Sequence, residues 1–259
     1  MTAELKRSSD GQTLVLTLSN PAQRNALGPE IYTEGIEALG LAESAPDIRS
    51  VLIVGEGNLF SAGGSLQRLQ DNRQQAPAVQ AQSIDALHGW IEAIRTFPKP
   101  VIAAVEGAAA GAGFSVALAC DFIVAADNAV FVMAYSNIAL SPDGGASWSL
   151  ARALPRQLMS ELLMCGERVT AQRLHELGIV NRVAPAGTAL SEALTLAARL
   201  NQRAPNALTS IKTLINESAH STLVEQLARE RDHFVRNLHH ANAGIGITAF
   251  LTKTTPHFE

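Results

Sequence analysis

The stretch from Val101 to Asp143 constrains the fold more than any other part of the chain. It opens on Val101 to Val105, an apolar run that follows Pro98-Lys99-Pro100 and has the pattern of a strand buried on both faces. Gly107 to Gly113 consists only of glycine and alanine, which predicts a tight turn feeding a helix from near Gly113 to about Cys120. A strand, a turn of tiny residues and a helix in succession leave backbone N–H groups open at the helix start, where aligned peptide dipoles concentrate partial positive charge. No bulky side chain shields them, so a partly negative oxygen is their natural ligand.

Strand and helix patterns alternate around this segment. Thr13 to Ser19 alternates as a half-buried strand, and Asn20-Pro21 ends it. Pro29 opens a helix to about Glu43 with Ile31, Ile36 and Leu39 on one side, and Ser50 to Gly55 reads as a second strand. Leu59 to Leu66 is small enough to let backbone approach a ligand. The Gln-rich segment Asp71 to Gln82, with Pro77 inside it, predicts a mobile loop, and Ser83 to Thr96 an amphipathic helix buried through Ile84, Leu87, Ile91 and Ile94. Ala146 to Gly166 predicts two short helices split near Pro155. Thr170 caps a helix that stops at Gly178, and Ile179 to Val183 forms a further strand. From Leu190 only helical patterns remain, over Leu190 to Arg203, Pro205 to Glu217, Thr222 to Leu238 and Gly244 to Lys253. The expectation is an α/β core over residues 1–190 and a helical region over 191–259 that packs on the core or on another subunit.

A hydrophobic content of 47% with 17% charged residues fits a well-buried chain of 259 residues. The formal net charge of −4, with scattered Lys and Arg, offers no footprint for nucleic acid or an anionic membrane. The uncharged run Gly107 to Cys120 falls short of the roughly 20 residues a bilayer span needs. Cys120 and Cys165 lack CxxC spacing and read as reduced core thiols; with no apolar signal-peptide core in MTAELKRSSDG, a cytoplasmic protein is expected. No cluster has metal-ligand spacing.

Two tiny-residue segments carry the chemistry. Ala62-Gly63-Gly64 and Gly111-Ala112-Gly113 could each aim one N–H at a common carbonyl oxygen, or could simply pack closely against a sheet. A dinucleotide reading of the second is weaker, because Val116 stands where GxGxxG needs its third small residue. Asp143, in Ser141-Pro142-Asp143-Gly144-Gly145, is the carboxylate that stands out, although Pro-Asp-Gly is also an ordinary turn. His88 falls on the apolar stripe of its helix, a place where histidines more often fill a core than catalyse. The tandem His239-His240 complements a helix end.

At this point the segments LTLSNPAQRNAL (Leu16 to Leu27), FSAGGSL (Phe60 to Leu66), Lys99 to Asp127, SPDGG, ARALP and LGIVNRV, in this order and spacing, resemble the crotonase superfamily of enoyl-CoA hydratases and isomerases. The turn at Ser141 to Gly145 is similar to that of phenylacetate-pathway isomerases, and most of the length to the alternative oxepin-CoA hydrolase type. The resemblance implies a spiral of ββα units with a C-terminal helical oligomerisation region, assembled as a homotrimer or a dimer of trimers. It implies an acyl-CoA thioester substrate, with coenzyme A as part of that substrate and no permanently bound cofactor. It also implies that the N–H groups of Gly64 and Ala112 form the oxyanion hole, that Arg24, Ala26, Ala62 and Leu66 lie near the CoA, and that Phe250 and Lys253 reach the nucleotide, often of a neighbouring subunit.

The departures matter as much. The hydratases hold water between two glutamates, where this chain has Ser115 and Tyr135, and Ser65 replaces a usual aspartate. Neither a serine hydroxyl nor a phenol is ordinarily a general base near neutral pH. Asp143 remains, at the acid/base position of the isomerase branches, and one carboxylate suffices to move a proton along a dienolate. The expected chemistry is therefore double-bond isomerisation or ring rearrangement, with Tyr135 or His88 shaping the pocket. Hydration, halobenzoyl-CoA dehalogenase-like attack by Asp143 assisted by His88, and CoA binding without turnover are the alternatives.

Overall fold

A computed structural model describes residues 3–258. The chain begins with β1 (Glu4–Asp10) and β2 (Thr13–Ser19), an antiparallel hairpin turned at Gly11 with φ +54°. Then come α1 (Pro29–Ser44), β3 (Ser50–Gly55), α2 (Leu66–Asn72), α3 (Pro77–Thr96), β4 (Val101–Val105), β5 (Ala108–Ala110), α4 (Ala112–Ala119), β6 (Phe122–Ala126) and β7 (Val130–Val132). After α5 (Ala146–Ala153), α6 (Arg156–Ser160) and one π turn at Glu161–Cys165 follow β8 (Arg168–Thr170), α7 (Ala171–Glu176) and β9 (Arg182–Ala184). The chain closes with α8 (Ala189–Asn201), α9 (Pro205–Ser218), α10 (Leu223–Leu238) and α11 (Ala241–Thr252).

The main sheet has the order β1-β2-β3-β4-β6-β9, parallel from β2 onward. Successive side chains of a strand face opposite ways, and here both sides are filled. Val51, Ile53, Val101, Ala103 and Val105 join the larger core, while Leu52, Val54, Ile102 and Ala104 meet Ala193, Leu196 and Ala197 of α8. That two-sided burial is why β3 and β4 read as unbroken apolar runs. Thus α8, the first helix of the C-terminal segment, closes one face of the core sheet.

A second, smaller sheet runs β5-β7-β8 and is prolonged by single bridges, Ser61 to Ala109 and Leu27 to Gly64. After β2, β3, β4 and β6 the chain crosses in turn to the smaller sheet, at Leu27, Ser61 to Gly64, β5 and β7, and the two tiny-residue segments become neighbours there.

Several expectations are corrected. Asp71 to Gln82 is not a mobile loop: α2 ends within it and α3 starts at Pro77, which occupies the first helical position, where a missing N–H costs nothing. Gly107 to Gly113 holds the short strand β5, and the helix after it begins at Ala112. The strand expected over Ile179 to Val183 is β9, displaced toward Ala184. Cys165 is exposed on the π turn rather than in the core; Cys120 is partly buried, and burial pushes its thiol well up.

One ion pair fastens the helical tail to the sheet. Lys212 Nζ of α9 lies 2.7 Å from Asp121 Oδ2, which also accepts the Val101 N–H at 2.8 Å. Burial raises the Asp121 carboxyl, against the lowering effects of Lys212 and of that amide. Removing one partner of a buried pair strands the other charge. Lys212→Met is expected to cost about 3 kcal/mol, read as a lower urea midpoint, and adding Asp121→Asn should recover much of it. Among the described residues no helix is long and apolar enough to cross a membrane, and no group of His, Cys, Asp or Glu could hold a metal.

Candidate active site

The smaller sheet and α4 form the floor of a cavity of about 760 Å³, roofed by α2 and α3 and closed at one side by the segment after β7. Ala62, Gly64, Leu66, His88, Ala112, Tyr135 and Asp143 all line it. Residues separated by up to 81 positions (143 − 62) thus meet in one place.

The two tiny-residue segments are locked before they reach the cavity. Ser61 Oγ donates to Asn25 O at 2.8 Å and accepts the Gly63 N–H at 3.1 Å, while Gly63 O receives the Leu27 N–H at 2.8 Å. On the other side Ala110 N–H donates to Ser61 O at 2.9 Å and Gly111 N–H to Val132 O at 2.9 Å. Gly63 has φ +88°, and a Cβ there would sit 2.6 Å from Ala110 O and 3.2 Å from the Ala112 nitrogen, so only glycine permits this approach. The next amide on each segment, Gly64 N–H and Ala112 N–H, has no acceptor within the chain among the described residues. Both stand on the cavity wall, the second at the N-terminus of α4. Two fixed donors without internal partners can hold an oxygen that gains negative charge.

The carboxylate is fixed by its own turn. Ser115 Oγ donates to Asp143 O at 3.0 Å, and the Gly144 N–H donates to His88 Nε2 at 3.3 Å. The turn packs so closely on α4 that a Cβ at Gly144 would lie 2.7 Å from Ser115 Cβ. The Tyr135 hydroxyl donates to Asp143 Oδ1 at 2.6 Å. Burial raises the Asp143 carboxyl above the usual carboxylate range, partly offset by the Tyr135 hydrogen bond and the nearby His88. Tyr135 is raised in turn by burial and by the Asp143 charge, so its phenol stays protonated at neutral pH. The result is one proton acceptor, one neutral donor beside it, and two amides in a mostly apolar chamber.

The other expected residues lie elsewhere. Arg24 adopts φ +56° and its carbonyl accepts the Ala62 N–H at 3.0 Å, but its side chain is exposed. Ala26 is buried beneath the same loop. Phe250 is 85% exposed on α11 and Lys253 caps that helix; neither is on the cavity wall of its own chain. Two wall residues escaped the sequence reading. Tyr32 of α1 leans on Trp90 (ring centroids 6.1 Å apart) and Arg68 of α2 donates to Leu27 O at 2.7 Å. The available signal for Tyr32 was a phenol next to Ile31 on a buried helix face, where a hydroxyl needs a partner.

The sequence matches the enoyl-CoA hydratase/isomerase family over residues 9–259. The chain belongs to that family. It is 33% identical over 257 residues to the 2,3-dehydroadipyl-CoA hydratase of Escherichia coli K12, covering 99% of each chain. It is 35% identical over 247 residues to the 1,2-epoxyphenylacetyl-CoA isomerase of the same organism, covering 95% of this chain and 94% of that one. A crystal structure of an enoyl-CoA hydratase from Polaromonas sp. JS666 superposes with a TM-score of 0.98 at 71% identity, over 99% of this chain and 100% of the other. The fold is that of the crotonase superfamily, and the chain is an enzyme of the enoyl-CoA hydratase/isomerase family that processes acyl-CoA thioesters.

Proposed function

We propose that this enzyme shifts the double bond of an unsaturated acyl-CoA through an enolate. The Asp143 carboxylate takes a proton from the α carbon of a 3-enoyl thioester. The electron pair moves onto the thioester oxygen, held by the Gly64 and Ala112 amides, and the protonated Asp143 returns the proton at the γ carbon to give the 2-enoyl thioester. Each amide is worth about 2.7–4 kcal/mol of transition-state stabilisation by analogy with oxyanion holes. The observation that carries this reading is that, among the described residues, Asp143 is the only carboxylate lining the cavity that Gly64 and Ala112 also line, while Ser115, where hydratases keep a glutamate, is spent on the Asp143 carbonyl. Ring rearrangement of an aromatic-derived thioester uses the same enolate, and the name of the isomerase relative supports that branch. No resident cofactor enters the scheme, since coenzyme A arrives with the substrate.

Hydration is the second reading, favoured by the hydratase relatives and by the Tyr135–Asp143 pair, which could orient a water. Dehalogenase-like attack is weaker, because tyrosine replaces that branch's tryptophan at position 135. CoA binding without turnover is the remaining alternative. Incubation with 3-enoyl-CoA and 2-enoyl-CoA in deuterated water separates the two main readings. Isomerisation of the 3-enoyl thioester gives the ultraviolet absorbance of the conjugated thioester with no gain of water, and deuterium enters the γ carbon only to the extent that the Asp143 proton exchanges with solvent before it is returned. A mass gain of one water without conjugation would replace isomerisation by hydration.

The same reading includes a homo-oligomer, a trimer or a dimer of trimers. Its support is the apolar surface of the helical tail, where Leu223, Val224, Phe234, Phe250 and Leu251 are each at least 68% exposed.

A further inference from the structure

The scheme above leaves one charged side chain on the cavity wall without a task. Arg68 is half-buried, and its Nη2 donates to Leu27 O at 2.7 Å. A guanidinium has five N–H donors, so most of its capacity remains. No carboxylate forms an ion pair with it among the described residues. Glu30 Oε2 and Arg68 Nη1 flank Gly28, where a Cβ would sit 2.8 Å and 2.6 Å from them, yet they form no ion pair. The Tyr32 hydroxyl stands beside the guanidinium on the same wall; burial raises it to about 12, with Arg68 opposing, so it is a neutral donor at physiological pH. The Asp143 carboxylate, by contrast, is attended by Tyr135 and His88.

The wall that carries the Asp143 carboxylate thus also carries a cation and a phenol with donors to spare, and the Asp143 and Glu30 charges both help to keep that phenol protonated. The rest is lined by apolar groups such as Leu69, Ile84, Leu87 and Leu140. A cation with Glu30 near it but outside ion-pair distance still has N–H groups for an anion that can accept two parallel bonds.

We infer that the acyl group of the preferred substrate ends in a carboxylate, bound by the Arg68 guanidinium and the Tyr32 hydroxyl, so that the enzyme acts on mono-CoA thioesters of dicarboxylic acids. This deepens the proposed function and rests on its acyl-CoA site, but not on the fate of the proton. It is testable with saturated thioesters, which bind without reacting. Titration calorimetry would compare glutaryl-, adipyl- and suberyl-CoA with pentanoyl-, hexanoyl- and octanoyl-CoA, and with CoA alone. At least one dicarboxylic thioester should bind about tenfold more tightly than its alkyl counterpart. Arg68→Met should bring that ratio to near one while leaving the affinity for CoA unchanged. Both ligands are measured on one preparation, so a loss of folded protein cancels in the ratio. Should Arg68→Met not fold, Tyr32→Phe is expected to lower the ratio about threefold. Equal binding by the wild-type protein in every pair, a ratio unmoved by either variant, or an Arg68→Met protein that loses CoA and all thioesters alike would overturn the inference; the last result would assign Arg68 to the CoA phosphates. Failure of the isomerisation assay alone would leave these affinities untouched.

Discussion

Replacing Asp143 with asparagine should abolish turnover and stabilise the fold at the same time. Asparagine keeps the shape of the side chain, and the turn is held through backbone atoms that do not change: Asp143 O by Ser115 and the Gly144 N–H by His88. What disappears is the proton acceptor. General acid–base groups contribute about 10²–10⁴-fold, and with no second carboxylate on the cavity wall among the described residues the loss of kcat should lie at the upper end, with KM nearly constant. The stability change follows from the direction of the pKa shift. Folding raises the Asp143 carboxyl above its unfolded value, so the folded state favours the protonated form. That contribution is fully present below the unfolded pKa and is lost as pH rises through the folded pKa. At neutral pH the ionised carboxylate is a net cost of folding. The Asp143→Asn protein carries no such cost, and a Tm gain of about 1–3 °C at pH 7 is expected, shrinking at pH 4. The same shift sets the pH profile. Activity requires the ionised carboxylate, so kcat should fall on an acid limb placed above the usual carboxylate range. Tyr135→Phe removes a hydrogen bond that lowers the Asp143 pKa and should move that limb to higher pH. An Asp143→Asn protein that still isomerises at near wild-type rate would remove Asp143 from the chemistry.

The coupling of activity to local cost explains which parts of this chain were legible in its sequence. Val101 to Val105 and Ser50 to Gly55 declare themselves because both faces are buried, and burial is written directly as apolar residues. β1 hides for the opposite reason: an exposed edge strand, ELKRSSD, owes its conformation to pairing with β2 rather than to its own pattern. The three-residue strands β5, β7 and β8 are too short to show any period. Pro77 misled because a proline that starts a helix and one that breaks it look alike until the following turn is placed. At the site, the tiny residues at 62–64 and 111–113 signal a close backbone approach from sequence alone, since a Cβ at Gly63 would collide with Ala110 O and one at Gly113 with Ser61. Arg68 and Tyr32 carry no such mark. Their meaning comes from two separate helices turning toward one cavity, which is a property of the packing.

The second large effect tests the amides themselves, which side-chain substitution cannot reach. Ala112 offers a way around that obstacle, because it is the first residue of α4 and its N–H lies outside the helix ladder. Proline is well tolerated at that helical position, where its fixed φ suits the helix and the missing N–H breaks no internal bond. Gly111 before it is already extended away from the helical region, at φ +50° and ψ −124°, a conformation the following proline does not forbid a glycine. Ala112→Pro therefore deletes one proposed oxyanion donor and places the ring in the space the oxygen would occupy. Loss of a single such donor costs about 10²–10³-fold in kcat, and the added bulk should push the effect beyond that. The circular dichroism spectrum and the urea midpoint should stay close to wild type, since neither β5 nor α4 loses a bond. Binding of CoA alone should persist, because the proposed contact is with the thioester oxygen. Full activity in a folded Ala112→Pro protein would mean that the negative charge is stabilised elsewhere, and the enolate scheme would fall with it.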